Sequence, residues 1–532
     1  MKPEAREPKP PGHRLWIPVA IWTLAIGGVV AFRAQPEVEA NFKSWATAAI
    51  ILLGVALTVL WFLFLSRFRW MTRLGGVAIA VLLVVGLKQI VRVDGTANGT
   101  GLPNLAWKWS QHPADTQMPF ARKSTVKPAN SSPTSDIPDV PQFFGTDRTG
   151  VVRSGQLATN WTSVPPRELW RQPIGEGWSA FSVAGGRAFT QEQRGENELV
   201  TCYEALTGDL VWAHTNQARF FEWQGGPGPR ATPTVDRGLV FTMGGTGILD
   251  CLEASTGKRR WSRSVLAENN LPNIIWGISC SPLVLGDRII VNGGGTNSGT
   301  VLAYHRLTGD LLWKVGTDKS AYSSPAFSKL VGKPVILSAN ASSFTIHEPT
   351  TGAILLDYPW ANDKWPKAAQ PVVVGTNRVF LSAGYGVGCV MLELTNAVGG
   401  KFGAREVWKT KTMKTQFNSA ALLNGHLYGL DDGLMACIEV ETGKRVWKDG
   451  RYGSGQSLLV DNLVVVQAER GFVALVDATP TGFEELGRIP ALGNKTWNHP
   501  VVAGRHLLVR NDREAVCYEL PIIAADHASP IR

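Results

Sequence analysis

Eight side chains with the chemistry to hold a planar or anionic ligand recur between positions 178 and 499 of this 532-residue chain. Indole and phenol rings stack on planar molecules, a guanidinium binds anions through a fixed fork of donors, and amides and an imidazole add hydrogen bonds. The eight residues are Trp178, Arg230, Tyr322, Gln370, Asn418, Gln456, Trp497 and His499. Each stands at the start of a β-rich segment, so they are predicted to line one channel mouth if those segments surround an axis.

A structural interpretation of the same residues stays open. Strand starts also need polar residues that cap turns, and a single histidine such as His499 is often a hydrogen-bonded structural residue. No Cys-x-x-Cys or Cys/His spacing suggests zinc. The aligned segment starts contain no Asp or Glu, whereas Ca²⁺ needs several oxygen ligands, usually carboxylates. Glu176 and Glu222 lie nearby in loops, outside this register. We therefore predict no metal site and no catalytic residue.

One eleven-residue phrase, Cys/Ala-x-Glu/His-x-x-Thr-Gly-Asp/Lys-x-x-Trp, explains the regular spacing of these segments. Four copies end at Trp212, Trp261, Trp313 and Trp447, and a degraded copy at 346–356 keeps Thr351-Gly352 without the tryptophan. A fixed period of about 40–50 residues is typical of repeat arrays and propellers. Gly supplies the positive φ of a tight turn between two strands, and the large Trp is suited to wedge neighbouring units together.

Each unit offers about four short strands, the content of one propeller blade, and the chain holds eight such units. The eighth ends near Leu520, one strand short, while an orphan strand at 167–171 precedes the first unit and carries Trp170. We expect the orphan strand to complete the last unit and close the ring, which removes free sheet edges. Trp170, Trp212, Trp261, Trp313 and Trp447 are the predicted structural docking tryptophans.

The phrase resembles the tryptophan-docking motif of the pyrroloquinoline-quinone (PQQ) repeat propeller family, Ala-x-Asp-x-x-Thr-Gly-Lys-x-x-Trp. The segment Phe143-Phe144-Gly145-Thr146-Asp147-Arg148-x-Gly150 also resembles the leading segment of membrane-tethered bacterial propellers of this type. The resemblance implies an all-β, eight-bladed propeller over about residues 141–522. The family includes quinoprotein alcohol and glucose dehydrogenases as well as a non-enzymatic lipoprotein of the outer-membrane assembly machine, and fold alone does not choose between them.

Two functions follow from the resemblance. The first is a non-catalytic binding or scaffold module for a protein or a small ligand. The alternative is a membrane-bound, PQQ-dependent dehydrogenase that oxidises an alcohol or a sugar, with PQQ as its cofactor. Such dehydrogenases are similar to one another in holding Ca²⁺ beside the quinone and in using an aspartate as base. Many also have a vicinal Cys-Cys pair, and this sequence has no such pair, no haem-attachment Cys-x-x-Cys-His and no ring carboxylate. These features favour the binding module.

The first 95 residues predict a membrane domain. Apolar stretches at about 15–32, 45–65 and 75–91 are each about long enough to cross a bilayer as a helix. Basic residues concentrate before the first stretch and between the second and third, so the positive-inside rule places these segments in the cytoplasm. Everything after residue 93 then lies on the periplasmic, extracytoplasmic side of the inner membrane, with the lipid bilayer as one partner and an envelope protein as a candidate second.

Composition separates the remaining segments. Residues 96–140 are rich in Pro, Ser, Thr and Gly and predict a flexible linker, whereas 523–532 predict a loose tail. Residues 1–95 carry 11 basic and 5 acidic side chains, which supply most of the net charge of +10. No basic stripe with interleaved aromatics indicates nucleic-acid binding. Four of the six cysteines share one repeat position, which predicts buried thiols rather than disulfides.

Overall fold

The computed structural model describes residues 14–35, 38–110, 137–295, 299–361, 363–364 and 366–523. The chain divides into two compact units, Met1–Gln111 and His112–Arg532. The predicted tail, 523–532, lies outside the described residues except for its first residue, as does most of the predicted linker, 111–136.

The first unit contains three apolar helices that are long enough to cross a membrane: Trp16–Arg33, Ala40–Leu60 extended by a π-helical turn at Trp61–Leu65, and Trp70–Ile90. They are apolar on all sides, as expected of helices whose surroundings are lipid. The third helix is followed by a two-stranded antiparallel sheet of Val91–Thr96 and Pro103–Trp107. Part of the segment that composition assigns to the linker therefore forms a strand, and Trp107 stacks on Trp109 with ring centroids 5.0 Å apart.

The second unit is built from antiparallel sheets of four strands, as the repeat predicted. We number these blades 1 to 8 along the chain. From the innermost to the outermost strand, blade 1 has Ser182–Ala184, Arg187–Arg194, Asn197–Glu204 and Leu210–Asn216; blade 2 has Thr234–Asp236, Leu239–Met243, Ile248–Glu253 and Arg259–Ser264; blade 3 has Leu283–Leu285, Arg288–Asn292, Val301–His305 and Leu311–Val315; blade 4 has Ala326–Leu330, Lys333–Ala339, Ser343–His347 and Ile354–Pro359.

The second half of the ring follows the same plan. Blade 5 has Val372–Val374, Arg378–Ala383, Gly388–Asn396 and Phe402–Thr410; blade 6 has Ala421–Leu423, His426–Asp431, Leu434–Glu439 and Arg445–Arg451; blade 7 has Gln456–Val460, Leu463–Gln467, Val473–Asp477 and Glu485–Ile489; blade 8 has Val501–Ala503, His506–Arg510, Glu514–Glu519 and Arg167–Pro173. Small elements between blades are the hairpin Phe221–Glu222 with Gly226–Pro227 and the helix Val265–Glu268, and a 3₁₀ turn at Val398–Gly400 lies within blade 5, between its third and fourth strands.

Closure of the ring occurs as predicted, because Arg167–Pro173 pairs antiparallel with Glu514–Glu519 as the outermost strand of blade 8. A buried guanidinium fastens the same junction. Arg510 of blade 8 donates hydrogen bonds of 2.8 Å to the hydroxyl of Thr190 and to the carbonyls of Gln191 and Gly175. The junction therefore combines a shared sheet with charge-assisted hydrogen bonds to the second strand of blade 1 and to the segment that precedes this blade.

The docking tryptophans stand opposite the small repeat position on the neighbouring strand, as in the pairs Cys202 with Trp212 and Cys251 with Trp261. All six cysteines are unpaired and buried. The indole N–H groups donate to a carbonyl of the following blade at 2.8–3.0 Å: Trp170 to Ala205, Trp212 to Ala254, Trp261 to Arg306 and Trp447 to Thr479. The indole N–H of Trp313, by contrast, has no hydrogen-bond partner among the described residues.

Two positions of the docking pattern were missed from the sequence. Trp408 of blade 5 donates to the Val440 carbonyl at 2.9 Å, but a longer hairpin separates it from its partner Met391, so it falls outside the eleven-residue phrase. In blade 7, Gly487 occupies the tryptophan position, and the buried Trp161 lies against it from outside the repeat. The pattern is therefore a property of the whole ring, although the sequence phrase is legible in only part of it.

Candidate functional site

The side chains nearest the channel axis form a belt of hydrogen bonds between blades. In this belt, a backbone N–H of one blade donates to a hydroxyl group of the next blade at 2.9–3.2 Å. The donor and acceptor pairs are Ala180 and Thr232, Thr232 and Ser281, Ser281 and Ser324, and Gln370 and Ser419. In the orientation that satisfies both ends of the Gln370 amide, its nitrogen donates to the Ser324 carbonyl and its oxygen accepts the Ser324 N–H. Gln456 donates to the carbonyls of Phe417 at 2.8 Å and of Trp497 at 3.1 Å. Buried polar groups need hydrogen-bond partners, and the side-chain amides of Gln370 and Gln456 find theirs in the backbone of neighbouring blades.

Asn418 and His499, which the sequence analysis assigned to the channel mouth, are both buried. The Asn418 side-chain oxygen accepts the Leu430 N–H at 3.2 Å. The His499 ring lies edge-on to Phe143 and Phe144, with centroids 5.6 and 5.1 Å away, and its Nδ1 is 2.9 Å from the Pro500 carbonyl. Burial lowers the pKa of His499 to about 4, so the imidazole is neutral at pH 7. Both residues have structural partners, and neither contacts the mouth aromatics described next.

Aromatic rings line one side of the mouth, two residues before the belt. Trp497 lies between Phe417 and Trp178, with ring centroids 5.2 and 4.9 Å apart. The Lys495 ammonium stands over both indoles, 4.2 Å from the Trp497 centroid and 5.3 Å from that of Trp178. We call Phe417, Trp497, Trp178 and Lys495 the indole box. It is a cation–π arrangement, in which the negative ring faces attract a positive group.

A carboxylate that sequence reasoning did not single out supports this box. Glu469 is buried, accepts the Trp497 indole N–H at 2.8 Å through one oxygen, and accepts the Ser454 N–H at 3.2 Å through the other. Its only sequence signal is its place two residues after Gln467, at the end of the second strand of blade 7. This hydrogen bond on the N–H edge of Trp497 fixes the orientation of the ring.

The other side of the mouth carries the guanidinium. Arg230 is half-buried, lies 4.3 Å from the centroid of Phe220, and donates to the carbonyls of Gly226 and Gly228. Burial lowers its pKa to about 10, against the opposing effects of Glu198, Glu222 and Tyr322, so it stays charged at pH 7. Tyr322 lies nearby, 5.6 Å from Trp276 between ring centroids. Trp178, Arg230, Tyr322 and Trp497 are thus the predicted residues that the structure brings to the mouth.

Two further carboxylates lie on the Arg230 side. Glu222 accepts the N–H groups of Gln224 at 3.0 Å and Gly225 at 2.8 Å, which closes the loop beneath the guanidinium. Glu198 is buried and accepts the Gly245 N–H at 3.0 Å. Burial raises the pKa of Glu198 to about 7, so this carboxyl group is partly protonated at neutral pH. Each group has backbone partners, which favours a structural role in shaping the mouth.

The opposite end of the channel is closed by residues 137–152, which we call the strap. Val140 pairs with Val183 of blade 1 through two hydrogen bonds of 2.8 Å, and the Pro141 carbonyl accepts the Val235 N–H of blade 2 at 2.8 Å. Asp139 accepts the Gly185 N–H at 2.9 Å at the far end of the innermost strand. The strap then crosses the channel and leaves as Val151–Val152, which pairs in parallel with blade 7.

Arg148 fixes the middle of the strap on the axis. Its buried guanidinium donates to the carbonyls of Ser281 at 3.0 Å, Pro325 at 2.8 Å and Pro282, and to the Thr234 hydroxyl at 3.2 Å. These acceptors belong to blades 2, 3 and 4. Burial lowers the pKa of Arg148 to about 9, so the group remains charged near neutrality. The strap therefore leaves the aromatic mouth as the accessible end of the channel.

Comparisons with known proteins agree with this architecture. Residues 196–449 match the family model described as outer membrane protein assembly factor BamB. The solved structure of BamB from Moraxella catarrhalis is 14% identical, covers 67% of this chain and 100% of its own, and superposes with a TM-score of 0.51. A quinohemoprotein alcohol dehydrogenase from Pseudomonas putida HK5 is 13% identical, covers 74% of this chain and 82% of its own, and has a TM-score of 0.52.

No curated protein sequence matches the chain. At such low identity the two solved structures show the fold alone, and they include a protein of outer-membrane assembly and a dehydrogenase. The matched residues, the tryptophan docking and the closed ring of four-stranded blades coincide. The second unit therefore has the fold of a PQQ-like β-propeller, and its residues 196–449 are similar to the family of outer membrane protein assembly factor BamB.

Proposed function

We propose that this protein is a membrane-anchored propeller that displays a non-catalytic binding site outside the cytoplasm. The proposal rests on the difference between two layers of side chains at the channel mouth. The polar belt is used between blades, whereas the indole box and Arg230 present aromatic faces and positive charge above it. With the strap across the other end, a ligand or a protein side chain enters at this mouth.

The dehydrogenase alternative requires residues that can hold a quinone together with Ca²⁺. Such an ion takes about 6–8 oxygen ligands, several of them carboxylates. Within the part of the chain that the structure describes, no group of three or more His, Cys, Asp or Glu side chains is placed to hold a metal. The mouth carboxylates Glu222 and Glu469 already accept backbone or indole N–H groups. The residues present do not fit a calcium–quinone pair, which supports binding rather than oxidation.

The membrane part of the proposal has separate support. Three helices have the length and hydropathy of membrane spans, and the basic residues flank them asymmetrically. The short basic loop between the second and third spans, with Arg67, Arg69 and Arg73, belongs in the cytoplasm by this rule. Because three spans follow a tail that this rule assigns to the cytoplasm, we propose that the propeller lies on the extracytoplasmic face of the inner membrane.

The test uses the full-length protein in dodecyl maltoside, titrated with PQQ in the presence and absence of Ca²⁺. Absorbance reports cofactor binding, and a dye acceptor reports oxidation of alcohols and sugars. We expect neither Ca²⁺-dependent binding at micromolar PQQ nor substrate oxidation. Tight, Ca²⁺-dependent binding accompanied by dye reduction would replace the binding module with a dehydrogenase.

A further inference from the structure

The indole box holds a cation that belongs to the protein itself. Lys495 reaches across the mouth so that its ammonium is within 5.3 Å of two indole centroids, while Phe417 lies 5.2 Å from Trp497. Trp178 is buried, at 9% exposed, whereas Lys495 and Trp497 are half-buried. A ligand would therefore reach the box on the side of Lys495 and Trp497.

The charges around the box favour a positive occupant. Glu469 accepts the Trp497 indole N–H at 2.8 Å, which increases the electron density of the ring that faces the ammonium. Asp512 also interacts electrostatically with Lys495. Arg470 and Arg513, which follow Glu469 and Asp512 in the sequence, are exposed. Two carboxyl groups thus accompany the two indole faces that Lys495 covers.

We infer that the indole box is a recognition site for an alkylammonium group, and that Lys495 is an internal occupant which a ligand displaces. The inference rests on the proposed function and specifies the ligand class of the same mouth. Aromatic cages bind quaternary ammonium groups through ring faces, and a quaternary group loses less hydration than the primary amine of lysine. The group comes from a choline-type small molecule or from a trimethylated lysine side chain of a partner protein.

Displacement has a measurable consequence. When Lys495 occupies the box, the apparent affinity for an external cation falls in proportion to the fraction of molecules in which the box is vacated. Lys495→Met removes the competitor but retains an unbranched side chain of similar length. A planar anion responds in the opposite direction, because the same substitution removes a positive charge from the mouth.

The experiment is a saturation-transfer NMR titration of the full-length protein in dodecyl maltoside, which contains no choline group. The probes are tetramethylammonium chloride and sodium 1-naphthoate. We expect tetramethylammonium to bind Lys495→Met about tenfold more tightly than the wild type, which corresponds to ~1.4 kcal/mol. Trp497→Leu on the Lys495→Met background abolishes that binding. Lys333→Met is the matched control, because Lys333 lies over Phe402 at 5.3 Å on another part of the ring and its loss leaves both affinities unchanged.

The outcomes separate the two proposals. One outcome is that naphthoate binds the wild type, that its affinity is lower for Lys495→Met, and that the affinity for tetramethylammonium is the same in both proteins. The mouth then binds anions, so the cation inference is wrong while the proposed binding module stands. If tetramethylammonium binds neither the wild type nor Lys495→Met, the inference is also overturned. Separate titrations of Lys495→Met with choline and with the amide of Nα-acetyl-Nε-trimethyllysine distinguish a small-molecule source from a peptide source. The binding module itself is judged by the PQQ titration of the wild-type protein.

Discussion

Polar side chains at the channel fall into two groups at the residue scale. Those nearest the axis, such as Gln370 and Gln456, bond the backbone of neighbouring blades, and His499 lies against the strap. Those two residues earlier, such as Trp178 and Trp497, turn their rings to the mouth. A step of two residues in an extended chain is about 7 Å, enough to separate a structural layer from an accessible one.

A pH dependence follows from the buried histidines. Burial lowers the pKa of both His347 and His499 to about 4, while an unfolded histidine titrates near pH 6.5. Between these values the unfolded state binds more protons, so the free energy of unfolding is highest above pH 6.5 and falls as the pH decreases towards 4. Each histidine contributes up to ~1.4 kcal/mol per pH unit. Guanidinium unfolding of the full chain at pH 7.5, 6.0 and 5.0 measures this slope.

The variant His499→Gln isolates one of the two contributions. Glutamine does not titrate, so we expect its stability to fall less steeply between pH 6.5 and 5 than that of the wild type. Equal slopes in the two proteins would show that the imidazole is not held neutral between Phe143 and Phe144.

The Thr-Gly turn and the docking tryptophan operate together at the element scale. In blades 1, 2, 3, 4 and 6 the Thr-Gly turn lies beneath the tryptophan of the preceding blade, as for Gly208 under Trp170 and Gly257 under Trp212. The glycine is required for two reasons. Gly257 has a positive φ of +70°, which side chains disfavour, and an added Cβ would clash with the Trp212 ring. The sequence phrase thus encodes an interface between blades as well as a turn within one.

Gly257→Ala is expected to destabilise the ring by ~2–4 kcal/mol, because it combines a positive φ with overpacking against an indole. Gly482→Ala is the matched control, since a Cβ there meets nothing within 4 Å. Thermal unfolding followed by near-ultraviolet circular dichroism should show a lower midpoint for Gly257→Ala alone. A similar midpoint in both variants would contradict close docking of the turn on the tryptophan.

The strap gives a second prediction at this scale. Arg148→Met removes the donor from four buried acceptors in three blades, and each unpaired acceptor costs ~1–3 kcal/mol. We expect a loss of at least about 3 kcal/mol and faster hydrogen exchange at Val183 and Leu459, whose amides bond the strap. The exposed Arg153→Met should leave both properties unchanged. Unaltered exchange in Arg148→Met would mean that the strap holds without its arginine.

At the scale of the whole molecule, the chain joins an apolar helical unit to a closed ring. The ring is closed twice, by the shared sheet of blade 8 and by the strap that spans the channel. All six cysteines are buried, and burial raises the pKa of thiols such as Cys280 and Cys437 to about 11. The native thiols are therefore protonated and inaccessible. A cysteine introduced at the surface is then the thiol that a maleimide labels.

That property allows the membrane orientation to be tested. Val398→Cys places a thiol at a position of the propeller that is 97% exposed. In intact spheroplasts we expect a membrane-impermeant maleimide to label Val398→Cys and not Glu4→Cys, whose tail is assigned to the cytoplasm. Permeabilisation should expose both, and the wild type should stay unlabelled. Labelling of Glu4→Cys alone would reverse the assigned topology.

The sequence by itself determined the repeat, the fold class, the closing strand and the apolar segments, because each depends on local patterns: a turn glycine, a tryptophan at fixed spacing, or a hydrophobic run. The tertiary structure alone decided which polar residues are used between blades, because that depends on contacts between segments about 40–50 residues apart. Glu469 reaches Trp497, and Arg148 reaches three blades, only once the ring has closed. For the same reason, Trp408 and Trp161 were recognisable in the structure and hidden in the sequence.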